Sequence, residues 1–415
     1  MLGGRRPERR ARAGRRRRLL RAPSSGTRQT LVALALNSLT SFVAGASLSA
    51  ITGTLRDLPG LLVLVPAAIG LRGNVFSALG SRLSTTVHLG TFRVSARRDS
   101  VFGQNVAASL VLSLGISLVA ALGASVLVLA LGVSDRPNVG DLLLVSILGG
   151  MIASVVVLAA TVGLSVAATR FGWDLDNLVA PIVSTLGDVV TIPALWVASL
   201  LIGVPVLSQS LTVALVAVAA VLSAFAWRTP LDILRRIVRE SAPVLTAAVG
   251  FSMLAGLVLE KRLELFESVA ALLILQPAFV SSAGALGGIL SSRLSTAFQL
   301  GLIEPDLLPD RRARETGLVV ATLAAPVALF NAVGAHAVAL VLGVRSPGLL
   351  ALLGVSLLAG LVVVAFVLAV AYYGTMAATR VGLDPDTHGI PLVTSTVDFV
   401  GAVALILAVV ALGIS

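Results

Sequence analysis

Residues Pro66 to Gly90 read PAAIGLRGNVFSALGSRLSTTVHLG, and residues Pro277 to Gly301 read PAFVSSAGALGGILSSRLSTAFQLG. At an offset of 211 (277 − 66), 11 of these 25 positions are identical. They include Gly73/Gly284 and the run Ser81-Arg82-Leu83-Ser84-Thr85 against Ser292-Arg293-Leu294-Ser295-Thr296. Further on, Ala168 to Asp188 matches Ala378 to Asp398 at an offset of 210 (378 − 168), with nine of 21 positions identical. Arg170/Arg380, Gly172/Gly382, Asp174/Asp384, Asp176/Asp386, Pro181/Pro391 and Asp188/Asp398 are shared there. Two motifs that recur together at one separation mark an internal repeat. The chain reads as two copies of one unit.

Composition says what the unit is made of. The 415 residues are 57% hydrophobic and only 12% charged, with a mean hydropathy of +1.00. A soluble domain carries about twice that share of charge, so soluble enzymes and DNA-binding proteins are excluded. There is no cysteine, which removes disulfides, thiolate chemistry and iron–sulfur or Cys-zinc sites. Three histidines argue against a His-rich transition-metal cage.

Apolar windows fall at about 29–55, 57–80, 104–132, 140–169, 178–203, 208–227, 243–260, 266–290, 317–343, 347–376 and 388–413. Backbone groups find no partners in lipid, so such segments are helices or closed barrels. Continuous apolarity over about 20 residues fits helices, because barrel strands alternate over about 10. The fold class is therefore all-α integral membrane, with about 11 transmembrane helices. The window 208–227 matches neither copy, which leaves five spans per copy. Five is odd, so directly fused copies would lie inverted. The extra span returns the chain to its starting side and predicts parallel repeats about a pseudo-two-fold axis along the membrane normal. The predicted organisation is a basic tail at 1–28, a first repeat at 29–205, a linking helix at 206–228 and a second repeat at 229–415.

Charge orients this arrangement. Residues 1–28 hold 11 Arg against the single acid Glu8, which accounts for +10 of the +11 formal net charge. The remainder of the chain is close to neutral, so the basicity belongs to a tail and predicts no nucleic-acid partner. A disordered cytoplasmic tail that touches anionic lipid is the plain reading. A transit peptide is also Arg-rich, but this stretch lacks amphipathic apolar residues before Leu19. With the N-terminus inside, the inner connections after the tail carry 14 basic residues and the outer ones 5. That asymmetry predicts a multi-pass protein of the cell membrane with its N-terminus cytoplasmic and its C-terminus outside.

Of the 20 acidic residues, only Asp188 and Asp398 fall well inside apolar windows, at equivalent positions. An intramembrane carboxylate costs several kcal/mol and usually faces a cavity or an ion path. The alternative role is local, as a cap of a kinked helix or a partner of nearby hydroxyls. Ser184 and Thr185 precede Asp188 by four and three residues and share its face, as Thr394 and Ser395 do for Asp398. Pro181 and Pro391 lie two turns back and free a carbonyl. Carboxylate, hydroxyl and carbonyl are hard oxygen ligands suited to Mg2+ or Ca2+, and Mg2+ would be held largely hydrated.

A second wall is the span with Pro66, Gly70, Gly73 and Asn74, whose counterpart carries Pro277, Gly284, Gly287 and Gly288. These residues predict a broken helix lining a cavity, or close packing through small residues. Asn74 is its best single ligand, though Ala285 stands at the matching position. Arg72, matched by Ala283, is read as snorkelling to the cytoplasmic face rather than as a counter-charge. Asp174, Asp176, Asp384 and Asp386 precede the Asp-bearing helices and read as a cation-attracting inner mouth, or as ordinary loop acids and helix caps.

PAAIGLRGN followed by SRLST, then Asp-x-Asp-x4-Pro-x6-Asp, resembles the MgtE and solute carrier family 41 group of Mg2+ transporters, over both copies. The resemblance implies a pore on the two-fold axis, lined by the second and fifth helices of each unit. Asp188 and Asp398 would hold hydrated Mg2+ as the transported ion, with Gly73 and Asn74 nearby and Gly284 as a partial match. In that family MgtE is a homodimer of five-helix units with large cytosolic regulatory domains. A 28-residue tail leaves no room for those, so one chain is expected to form the whole pore without such Mg2+ sensing. Competing readings are a Na+- or H+-coupled exchanger, transport of Co2+, Mn2+ or Ca2+, and a membrane scaffold that transports nothing. An intramembrane protease lacks its Ser/His, Glu/His or Gly-x-Gly-Asp context, so the protein is expected not to be an enzyme.

Overall fold

The computed structural model describes residues 25–88, 92–95, 97, 99–130, 139–171, 175–382 and 389–414. Eleven helices among them are long and apolar enough to cross a membrane. They are α1 (Ser25–Ala50), α2 (Leu61–His88), α3 (Val101–Ala130), α4 (Val139–Phe171), α5 (Leu175–Ser199), α6 (Pro205–Arg228), α7 (Asp232–Glu260), α8 (Ala271–Gln299), α9 (Arg311–Leu342), α10 (Leu349–Arg380) and α11 (Ile390–Ala411). One helix answers each apolar window. The linking helix α6 lies at the periphery and is mostly exposed, touching the core through Leu215, Ala219 and Ala226.

Several helices run past their windows. α7 begins at Asp232, 11 residues before the window start at 243. Its first turns are amphipathic: Leu234, Ile237 and Val238 are buried, while Arg235, Arg236 and Arg239 point outward. The SRLST segments are helical ends of α2 and α8 rather than connections. Near the end of α2, Arg82 Nε donates to Asn105 Oδ1 on α3 at 2.9 Å.

The predicted breaks are absent. α2 continues through Pro66, Gly73 and Asn74, and α8 through Pro277 and Gly284. Each proline sits near the helix start and removes one backbone bond, which a packed membrane helix tolerates. Pro181 falls within the bounds of α5, and Pro391 occupies the first turn of α11, where its missing N–H would be unbonded anyway.

The repeats interlock. The first helix of each copy packs against the second helix of the other, α1 on α8 and α7 on α2. Gly45 on α1 is pressed onto Ile274, and Gly256 on α7 onto Leu62 and Val63. Both pairs obey one offset, since 45 + 211 = 256 and 63 + 211 = 274. Glycine is required at both contacts because a Cβ on Gly45 would lie 2.6 Å from the Ile274 carbonyl oxygen. Small residues at crossings are how membrane helices gain packing without a hydrophobic drive. At one end of the bundle, Arg56 Nε reaches Glu267 Oε1 and Oε2 at 2.7 Å. These two positions are equivalent (56 + 211 = 267), and equivalent residues can meet only near the pseudo-two-fold axis. Their contact marks that axis at the connections after α1 and α7.

Candidate functional site

Within each repeat the second and fifth helices face each other through small residues. A Cβ on Gly73 would lie 3.8 Å from Ser184 Oγ, and one on Gly187 3.6 Å from the Gly73 nitrogen. In the second repeat, a Cβ on Gly284 would lie 3.8 Å from both Asp398 Oδ1 and Thr394 Cβ. The glycines therefore bring the facing helices into close approach, Gly73 beside Ser184 and Gly284 beside Asp398.

Asp188 lies mid-helix on α5 and is 5% exposed. Its Oδ2 accepts from Ser41 Oγ on α1 at 3.0 Å and from Ser281 Oγ on α8 at 3.2 Å. Asn37 Nδ2 donates to Ser281 Oγ at 3.0 Å, which holds that hydroxyl in place. The Asp188 carboxylate is thus bound by both halves of the chain. Asp398 on α11 is half-buried, and its Oδ2 accepts from Ser252 Oγ on α7 at 3.1 Å.

The hydroxyls that reach these carboxylates are not the ones singled out from sequence. Thr185 Oγ1 accepts from Thr40 Oγ1 at 3.4 Å, Thr394 Oγ1 donates to the Pro391 carbonyl at 3.1 Å, and Ser395 is buried. Ser184 borders Gly73, and Asn74 is half-buried beside it on α2. Helical spacing within one element found the near neighbours but missed Ser41 and Ser252. Their signal was in the repeat: Ser41-x-x-Ala44-Gly45 recurs as Ser252-x-x-Ala255-Gly256 at the same offset of 211 (252 − 41).

Arg72 does not snorkel. It is 1% exposed, with Nη1 donating to the Ala68 carbonyl at 2.7 Å and Nη2 to Ser117 Oγ at 3.0 Å. Those partners turn the guanidinium into the bundle toward α3. Asp174, Asp384 and Asp386 lie outside the described residues, and Asp176 falls in the first turn of α5.

A family model described as a divalent cation transporter, MgtE, matches residues 65–198 and 276–408, which together exceed half of the chain. The two matches are themselves 211 residues apart at their starts (276 − 65), the separation of the repeated motifs. Solute carrier family 41 member 3 of Rattus norvegicus is 26% identical over 92% of this chain and 86% of its own length. Solute carrier family 41 member 2 of Xenopus laevis is 26% identical over 93% of this chain and 73% of its own length. No solved structure matches the chain.

Proposed function

The chain belongs to the MgtE family of divalent cation transporters, and from that premise we propose that it carries hydrated Mg2+ along the pseudo-two-fold axis between Asp188 and Asp398. The observation that carries this reading is the equivalent placement of two intramembrane carboxylates, each tied by the equivalent serine of a first helix, Ser41 or Ser252. Carboxylates are tolerated inside a membrane chiefly where they serve an ion path. Two of them balance one divalent charge. Mg2+ gives up its water reluctantly, so on this reading the ion keeps its shell as it passes Gly73 and Gly284, where no side chain intrudes.

Two equivalent helix sets already meet within one chain, which supports a pore formed by a single copy. Asn74, Ser184, Thr185, Thr394 and Ser395 then serve as lining groups that reach the ion through its water. Asp174, Asp176, Asp384 and Asp386 supply negative charge at the inner mouth. The charge balance of the connections favours an N-terminus inside and a C-terminus outside. The Arg-rich tail then rests on anionic lipid.

The test is flux into liposomes loaded with a Mg2+ dye, at clamped voltage, for the wild type and for Asp188→Asn with Asp398→Asn. Wild-type uptake lost in a folded, inserted double variant is the expected result. Equal uptake in both would clear the aspartates of a role. No wild-type signal, even with Na+ and pH gradients supplied, would sink the Mg2+ reading. A requirement for the Na+ or pH gradient would instead identify a coupled exchanger.

A further inference from the structure

Arg72 is the only Arg or Lys among the described residues that is buried. No carboxylate pairs with it among those residues, and its Nε has no hydrogen-bond partner. Its surroundings are shaped to admit it. Gly150 lies so close that a Cβ there would collide with Nη2. Just before Gly150, α4 passes through a π-helical turn at Val145–Gly149, and Ser146 Oγ donates to the Ser117 carbonyl at 2.7 Å.

The second repeat builds the same frame without the arginine. Ser356, equivalent to Ser146 (356 − 146 = 210), donates to the Ala328 carbonyl at 2.8 Å, and Ala328 is the counterpart of Ser117 (328 − 117 = 211). Ala283 stands for Arg72 and Gly360 for Gly150. Ala283, Ala328 and Gly360 line a cavity of about 30 Å3, on whose wall the buried Asn331 leaves its Oδ1 unpaired. One half holds a guanidinium where the other holds a void. Arg72 is rooted beside the helix that carries Asp188, since a Cβ on Gly187 would lie 3.7 Å from Arg72 Cβ and Gly187 precedes Asp188, while its guanidinium extends from there toward α3.

We infer that Arg72 is a specificity-determining charge of the ion path, a fixed cation behind one wall that weakens ion binding at the Asp188–Asp398 pair so that a bound divalent ion can leave. This rests on the transport reading above. Conduction needs a site strong enough to enter and weak enough to leave. Two carboxylates would hold a divalent ion fully compensated, and Arg72 leaves that set one charge short. An unscreened charge in a buried setting acts through space, and its effect scales with the valence of the ion. At an effective dielectric of about 20 and a separation on the order of 10 Å, it changes a monovalent ion's affinity roughly tenfold, a divalent ion's by the square of that and a trivalent ion's by the cube.

The experiment measures binding and flux separately. Binding is read as thermal stabilisation of the detergent-purified full chain by Mg2+ and by hexaamminecobalt(III), an inert trivalent mimic of a hydrated ion. Flux is read in the dye-loaded liposomes. Arg72→Gln is expected to tighten Mg2+ binding by up to about 100-fold and hexaamminecobalt(III) further, with the logarithms of the two shifts near 2:3, while the maximal flux falls. Ala283→Arg with Ala328→Ser adds the missing cation to the second half and leaves Arg72 in place. It is expected to weaken binding in the same ratio, and it keeps the test open if Arg72→Gln does not fold. Unchanged affinity in a folded variant, or equal shifts for both ions, would overturn the charge role. Wild-type binding without flux would overturn the transport reading alone, and no wild-type binding would overturn both.

Discussion

Adding one methyl group at Gly45 tests whether the interlocked crossing of α1 and α8 holds the two halves together. A Cβ at this position would lie 2.6 Å from the Ile274 carbonyl oxygen and 2.7 Å from Ile274 Cα. Ordinary contact begins near 3.5 Å, so the helices must part by roughly 1 Å. Parting them also stretches the Asn37–Ser281 bond at 3.0 Å and the Ser38–Ser282 bond at 3.0 Å toward the limit of useful geometry. Overpacking of this kind costs ~1–3 kcal/mol. Gly45→Ala should therefore lower the apparent Tm of the purified protein. Gly163→Ala is the control, because nothing lies within 4 Å of a Cβ there and alanine adds about 0.8–1 kcal/mol of helix propensity. Gly256→Ala repeats the clash against Leu62 and Val63. The two crossings belong to one pseudo-symmetric interface, so the double variant should cost less than the sum of the singles, a coupling of ~0.5–3 kcal/mol. A Gly45→Ala protein as stable as Gly163→Ala would refute the crossing as described.

Other substitutions separate packing from passage. Gly73→Ala and Gly284→Ala place a methyl 3.8 Å from Ser184 Oγ and from Asp398 Oδ1 respectively, an ordinary contact, so melting should not fall. The same methyl fills space that a hydrated ion would use, and Mg2+ flux in liposomes should fall on the order of tenfold. At the end of the axis, Arg56 and Glu267 occupy equivalent positions, so exchanging them as Arg56→Glu with Glu267→Arg should recover the expression and melting that Glu267→Arg alone impairs. The hydrogen bond and charge of Glu267 hold the Arg56 guanidinium above its ordinary value. Its side of the pair is present below that value and lost only as pH rises through the raised one. Melting of the native pair should therefore show no Arg56-linked pH dependence in the physiological range.

The spans and the repeat were legible in the sequence because both are carried by long-range statistics. Apolar windows of about 20 residues have one meaning in lipid, and 11 identities in 25 positions fix the offset. Helix ends were less legible. The Arg-bearing turns of α2, α7 and α8 are amphipathic, and a hydropathy window discards them as connections. The expected breaks failed for a related reason: proline and glycine signal a weak helix in isolation, whereas Gly73 and Gly284 sit where the facing helix comes close, which is the close packing that was the other reading of these small residues. The site was half legible. Burial of an acid in an apolar run found Asp188 and Asp398, but their serine donors come from helices more than 90 residues away in sequence. Spacing within one helix cannot reveal those contacts, although the repeat offset connects Ser41 with Ser252.

Fusion of two units in one chain removes the requirement that both sides of the axis be alike, and the differences gather around the carboxylates. Asp188 receives two hydroxyl donors, Ser41 and Ser281. Asp398 receives Ser252, because the counterpart of Ser281 is Gly70 (281 − 211), whose Cβ would lie 3.6 Å from Ser252 Oγ. Each hydrogen bond to a charged group is worth about 1.5–3 kcal/mol, so Asp188 is held more firmly and Asp398 keeps more of its capacity for water. Arg72 stands on the Asp188 side, and Asn74 is opposed by Ala285. On the proposed path, a hydrated divalent ion between the two carboxylates would therefore meet a fixed, partly compensated wall on one side and a less committed carboxylate on the other. Removing the extra donor with Ser281→Ala should bring Asp188 toward the state of Asp398. The same substitution also cuts the tie from Asn37 across the halves, so its effect should exceed that of Ser252→Ala, which loses a bond within one repeat.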